Sequence, residues 1–213
     1  MHRRLVFGLA LLPMLARAED PPEVTEDGLV RVPSNRKVGV YRAPDVPFAR
    51  YRRISIGSIP VVFRKNWEKD NPRLKEADLE RLRGQLVRIF REELIAELVK
   101  RGGYVLTDAA DADVLRLDPS IIDLDITAPD AGNVPGVRTL VRTTGSMKLN
   151  LEVRDAASSV TVARIIDYEK SREDDQLQFS NQMTIAEDMR KLFASFARYT
   201  HGALEAAKVR REP

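Results

Sequence analysis

Six aspartates, Asp108, Asp111, Asp113, Asp118, Asp123 and Asp125, fall within eighteen residues of the stretch "TDAADADVLRLDPSIIDLDIT". Carboxylates at that density could cage a cation or supply an acid–base pair, and their spacing decides between these roles. A calcium loop of the EF-hand type wants oxygen ligands at alternate positions, a glycine at the sixth and a glutamate at the twelfth. Counted from Asp111, the fifth position is Leu115, the sixth Arg116 and the twelfth Ile122, so the pattern fails after two ligands. In "IIDLDIT", Ile122, Leu124 and Ile126 alternate with Asp123 and Asp125, which is the pattern of a strand with one wet face. Two carboxylates on one such face stand ~7 Å apart. That separation suits an inverting glycosidase pair, but any i, i+2 pair produces it. Asp108, Asp111 and Asp113 read as turn residues whose short side chains bond their own backbone. The stretch is therefore expected to be a surface. The rival reading is a hydrolase that acts on a sugar or phosphate ester through two of Asp113, Asp118, Asp123 and Asp125.

The rest of the chemical inventory is thin. There is no cysteine, and the histidines are His2 and His201, which excludes a Cys/His zinc site and a cysteine nucleophile. His201, expected near the end of the last helix, reads as a capping or packing residue. No phosphate loop, dinucleotide fingerprint or serine-hydrolase elbow is present. No catalytic, metal-binding or cofactor-binding residue is assigned, and no cofactor is expected. The segment "FRKNW" places the single tryptophan, Trp67, beside Arg64 and Lys65 just after a strand. Tryptophan and arginine are enriched at protein interfaces, so Arg64, Lys65 and Trp67 are the candidate partner contacts. The plainer alternative is a tryptophan that closes the edge of the core. A carrier of a hydrophobic ligand ranks last, because the even apolar patterning described below suggests a filled interior.

The amino-terminal residues point to a compartment. "MHRRLVFGLALLPMLARAED" begins with a basic start, continues as a nearly uninterrupted apolar run from Leu5 to Ala16, and ends on the small residues of "ARA". That is the layout of a secretory signal over residues 1–18, cleaved before Glu19, and the protein is expected in the periplasm. Twelve apolar residues would span ~18 Å as a helix, short of a ~30 Å hydrocarbon core, so no membrane span is expected. The chain has 35 Lys+Arg and 32 Asp+Glu. Loss of Arg3, Arg4 and Arg17 with the signal leaves 32 of each sign. A neutral chain has no surplus of cations to displace phosphate counterions, so nucleic acid is not an expected partner. Without a cysteine there is no site for lipoprotein acylation, and without disulfides the core must hold the fold, for which about 195 residues suffice.

The elements that must position these residues follow from periodicity. Residues 19–50, with five prolines among polar residues and short apolar pieces such as "VGVY", read as an extended lead-in. A single domain is expected over residues 51–208. "YRRISIGSIPVVF" reads as its first strand, with Gly57 and Pro60 marking a bulge or bend. A long helix is expected from Asn71-Pro72 to about Arg101, with a stripe through Leu82, Leu86, Phe90, Leu94 and Leu98 and a stop at Gly102-Gly103. After "YVLT", the aspartate stretch and a "PDAGNVPG" loop, "MKLNLEVRD" and "VTVARIIDYEK" alternate as the strands of a hairpin turning at "DAASS". The last helix is expected to open on a capping box of Thr184 and Glu187, with Ile185, Met189, Leu192, Phe193, Phe196 and Ala203 as its apolar face. The fold class is α+β: a mostly antiparallel five-stranded sheet with two amphipathic helices packed on it.

Four segments also carry a family likeness: "DGLVRVPSNRKVGVYRAPDVPFARYRRISI", "FRKNW", "GGYVLTDAADADVLRLDPSIIDLDITAPD" and "LEVRDAASSVTVARIIDYE". In order and spacing they resemble the bacterial domain-of-unknown-function family 3313, from about Asp27 to Ala207. The resemblance implies an exported envelope protein of unassigned activity, often carrying a lipoprotein signal. This chain departs from that pattern in lacking the cysteine. The expected role is a non-catalytic interaction module whose partner is an envelope protein or a cell-wall component.

Overall fold

The hairpin that alternation predicts is the centre of the sheet. In the computed structural model, which describes residues 22–34, 38–72, 75–126, 146–167 and 182–209, β7 (Ser146–Asp155) and β8 (Thr161–Asp167) pair antiparallel, with Leu151 opposite Ile165. Met147, Leu149, Leu151 and Val153 are buried, while Lys148, Asn150, Glu152 and Arg154 face outward. The "DAASS" turn closes around Asp155, whose Oδ1 accepts bonds from the Ser158 N–H (2.8 Å) and hydroxyl (2.9 Å). The signal segment and the "PDAGNVPG" loop lie outside the described residues.

The sheet is larger and more mixed than expected, with eight strands rather than five. Two of the added strands, β1 (Val30–Val32) and β2 (Val38–Arg42), come from the segment expected to be an extended lead-in. β2 pairs with β8, setting Val40 opposite Ile165, so the "VGVY" piece is a buried strand that meets a partner more than a hundred residues away. β3 (Arg53–Ile56), β4 (Val61–Phe63), β5 (Val105–Leu106) and β6 (Val114–Asp125) complete the sheet in the order β1-β2-β8-β7-β6-β3-β5, with β4 also on β6. The pairings β3–β6, β4–β6 and β3–β5 are parallel. The long helix between β4 and β5 supplies the crossover connection that parallel neighbours need.

β3 and β4 are two halves of one line along β6, interrupted at Gly57–Pro60 where a bend is expected. Pro119 sits in the middle of β6 opposite that interruption. Along β6 the Ile121 N–H reaches Pro60 O (3.0 Å) and Leu117 O receives the Gly57 N–H (2.8 Å). The missing N–H of Pro119 therefore falls in the gap between β3 and β4, which is how a proline is tolerated inside a central strand. Beyond it, β6 bulges. Asp123 adopts a left-handed φ of 54°, and the register with β7 shifts between Ile122 and Asp125. The expected inward set of Ile122, Leu124 and Ile126 is corrected by this bulge: Ile121, Leu124 and Ile126 are buried, and Ile122 is not.

Both long helices cover one face of the sheet. α2 (Glu76–Leu94) continues as a π-helix from Ile95 to Arg101 and stops at Gly102-Gly103, where Gly103 has φ +73°. It begins five residues later than expected, because Asn71 closes a short preceding helix, α1 (Trp67–Asp70), by donating its Nδ2 hydrogen to Trp67 O (2.8 Å). α3 runs Gln182–Val209, so Thr184 and Glu187 lie inside the helix and not at its cap. Phe90 of α2 stacks on Phe193 of α3 at 4.6 Å and meets Phe196 edge-on. The two helices thus share one core with the inner residues of β3, β6, β7 and β8.

Candidate partner-contact surface

The aspartates are spread along β6 and the turn before it, and five of the six meet a cation. Arg53, at the start of β3, faces the turn and binds Asp113 through Nε (2.9 Å) and Nη2, and Asp111 through Nη2 (2.8 Å). The Arg53 hydrogen bonds hold the Asp113 carboxyl below the usual carboxylate range. Asp118 sits between Arg116 Nε (3.0 Å) and Arg154 Nε (3.6 Å). Asp123 faces Lys148 Nζ (3.4 Å), and Asp125 accepts from Arg64 Nε (2.8 Å). Asp113, Asp118, Asp123 and Asp125 therefore share no cation, answering to five different ones between them, and do not converge on one hollow. Among the described residues, no three His, Asp or Glu side chains are grouped so as to hold a metal ion.

The outward face of the sheet extends this matching of charges. Asp118, Glu152 and Arg164 lie in one register row across β6, β7 and β8. Arg164 Nη2 bridges Glu152 (3.1 Å) and Asp27 (2.8 Å). Bonds from Arg154 first, and then from Arg164, pull the Glu152 pKa down against its partial burial. Gly57 belongs to this row: a Cβ there would collide with Asp118 Oδ1, so the carboxylate lies where any larger residue's side chain would begin.

Sequence reasoning missed two polar knots. Asp155 is 5 % exposed and binds Arg50 Nη2 (2.6 Å) and the Tyr51 hydroxyl (2.9 Å) as well as Ser158. Burial would raise its pKa, yet the Ser158 N–H, the Tyr51 and Ser158 hydroxyls and the Arg50 charge together lower it. Asp155 is legible as a turn residue, but its pairing with residues over a hundred positions earlier leaves no local signal. The second knot holds His201, which lies within α3 and not near its end. Its Nδ1 stands 3.2 Å from Oε1 of the buried Glu97 in the π-helix, so it ties two helices together.

The "FRKNW" segment builds a different kind of place. Phe63 ends β4, Asn66 turns the chain with φ 67°, and Trp67 opens α1. Trp67 is 1 % exposed, stacks on Phe63 at 4.3 Å and donates its indole N–H to Ile126 O (2.8 Å). It closes the edge of the core, the plainer of its two expected roles, and offers almost no surface of its own. Arg64 is held by Asp125 and by Asp70 (2.9 Å). Lys65 and Lys69 are exposed, and neither has a carboxylate partner among the described residues. A groove of about 420 Å³ opens here, lined by Val61, Val62, Phe63, Asn66, Lys69 and Arg83 among others. Arg83 lies over the Phe63 ring at 5.1 Å, and Val62 is 51 % exposed.

β4 also leaves one edge open. Among the described residues it pairs only with β6, through contacts that include Pro60 O with the Ile121 N–H and the Arg64 N–H with Leu124 O. Backbone groups alternate sides along a strand, so the N–H and C=O groups of Val61 and Phe63 point away from β6. Next along the same line, Arg91 of α2 donates to Ile56 O (3.2 Å) and Gly57 O (3.3 Å) and covers that part of the edge. The open part is the part beside the groove.

Residues 24–200 match the family model described as protein of unknown function, DUF3313. This chain belongs to the DUF3313 family. The DUF3313 match takes in both edge strands, the aspartate stretch and "FRKNW". No curated protein matches. Solved structures with a similar course include a PelC dodecamer from Paraburkholderia phytofirmans, at 12% identity, a TM-score of 0.40, and cover of 75% of this chain and 96% of that one. Another is a neuraminyllactose-binding hemagglutinin homolog from Helicobacter pylori, at 15% identity, a TM-score of 0.35, and cover of 74% and 90%. Likenesses this distant carry no function across to the DUF3313 chain. Among its described residues, no helix is long and apolar enough to cross a membrane.

Proposed function

We propose that this DUF3313 chain is an exported, non-catalytic interaction module of the bacterial cell envelope. Its partner, an envelope protein or a cell-wall component, docks at the β4–α1 surface. Lys65 and Arg64 face the partner, and the buried Trp67 is the anchor that fixes the shape of the site. The observation that carries this reading is the contrast in charge matching. The β6 aspartates have cations of their own, whereas Lys65 and Lys69 stand exposed beside a groove and an unpaired strand edge. Export rests on the basic, apolar and small-residue succession of the first eighteen residues. Loops and edges displayed on a rigid scaffold are common recognition sites.

The test is in-cell cross-linking of the tagged chain, comparing wild type with Lys65→Glu. A reproducible cross-linked partner in the envelope fraction that is lost in Lys65→Glu supports the reading. A cytoplasmic chain, or cross-links indifferent to the substitution, contradicts it.

A further inference from the structure

We infer that the open edge of β4 accepts an extended strand from a partner protein, an apolar strand flanked by acidic residues. This rests on the docking surface proposed above and names what would occupy it. Edge strands display unpaired N–H and C=O groups and are templates for an added strand unless something blunts them. Here the blunting is partial. Arg91 covers the carbonyls of Ile56 and Gly57, and β5 covers Arg53 and Ile54. Val61 and Phe63 have no such cover among the described residues. An incoming strand would exchange N–H···O bonds with those two residues, as any antiparallel or parallel neighbour does.

Side chains set the composition of that strand. Alternate residues of an added strand fall on the two faces of the sheet. On the inner face, an apolar residue would rest in the groove beside Phe63 and the stem of Arg83. On the outer face, another would cover Val62, which stands 51 % exposed and outside the hydrophobic core. Past Phe63 the chain presents Lys65 and then Lys69, both exposed and without a counter-ion among the described residues. A carboxylate at the end of the strand complements them. Opposed charges at the rim of an interface act on encounter and register, so the lysines would set which way the strand runs.

The experiment uses the full mature chain and a synthetic strand probe of alternating Val and Thr with Glu at both ends, alongside a twin flanked by Lys. Backbone amide exchange followed by NMR reads the site, and titration reads the affinity. The expected result is slowed exchange at Val61 and Phe63 on adding the Glu-flanked probe. Affinity should fall about tenfold or more for the Lys-flanked twin, and likewise for Lys65→Glu/Lys69→Glu. Val61→Pro, which removes an outward N–H while the bonds to β6 stay, should also lose the probe. Because that variant strains the strand, the lysine pair serves as the version certain to keep the fold. No binding, protection elsewhere, or equal affinity for the two probes overturns strand addition. So does protection of Val61 and Phe63 that rises with protein concentration alone, since the occupant is then a second copy. If cross-linking at residue 65 still finds a partner while the probe fails, the docking surface stands and strand addition does not. If both fail, the docking surface falls too.

Discussion

Along β6, outward carboxylates meet cations, whereas on the neighbouring β4 and the turn after it both backbone groups and lysines stand open. The two strands are hydrogen-bonded to each other, and Arg64, just after β4, binds Asp125 of β6 and Asp70 of α1. A dense run of aspartates attracts attention in a sequence, yet five of its six charges are matched within the fold. The sparse "FRKNW" segment leaves groups unspent. An abundance of functional groups is thus a poorer guide to a contact surface than their lack of partners.

The largest effect should come from the buried anchor of the open region. Trp67→Ala removes a stacked, hydrogen-bonded indole and should cost about 3–5 kcal/mol of stability, measured by urea unfolding. It should also loosen Phe63, so the loss of partner binding would exceed what the lysines give. A smaller cost would mean that the region collapses easily and is not a built site.

Gly57→Ala should cost up to about 1 kcal/mol, because the new methyl meets only the end of the Asp118 side chain and turns it from its part-exposed partners Arg116 and Arg154. The added Asp118→Ala should recover part of that loss. Full additivity in the double-mutant cycle would break the claim that the outer face is one connected set of charges.

The acid side of the stability curve sharpens the same point. Asp27, Asp113, Glu152 and Asp155 are all held below their ordinary values in the folded chain. Carboxyls lowered on folding contribute stability above their unfolded pKa and lose it as the pH falls through the folded one. Urea midpoints should therefore stay level with respect to these groups from neutrality to about pH 5 and fall below about pH 4. Glu152→Gln should flatten that fall. A decline centred near neutrality would contradict the assignment.

The smallest expected change is in the lysines. Lys65→Glu and Lys69→Glu should leave stability within about 0.5 kcal/mol, because nothing in the described fold depends on them. A clear loss would show that they have a structural role.

Where the chain pattern is local, it was readable. The β7–β8 alternation, the α2 stripe and its glycine stop, and the bend at Gly57–Pro60 all stand in the structure. The gaps have non-local causes. Val38–Arg42 lies in a proline-containing stretch and becomes a strand only because β8 supplies its ladder. Ile122 alternates correctly on paper, but the bulge at Asp123 turns it outward. Parallel pairing follows from where α2 deposits the chain, which no residue in β6 announces. Within "FRKNW", which side chain would be buried depended on Ile126, nearly sixty residues from Trp67 and so invisible to local pattern.

The most direct test is a paired one: a photo-cross-linking amino acid placed at position 65 in one strain and at position 116, on the outer face of β6, in another. The account expects position 65 to join one reproducible envelope partner through an extended, acidic segment, while position 116 yields none. Cross-links from position 116 alone, or from neither position, would contradict it.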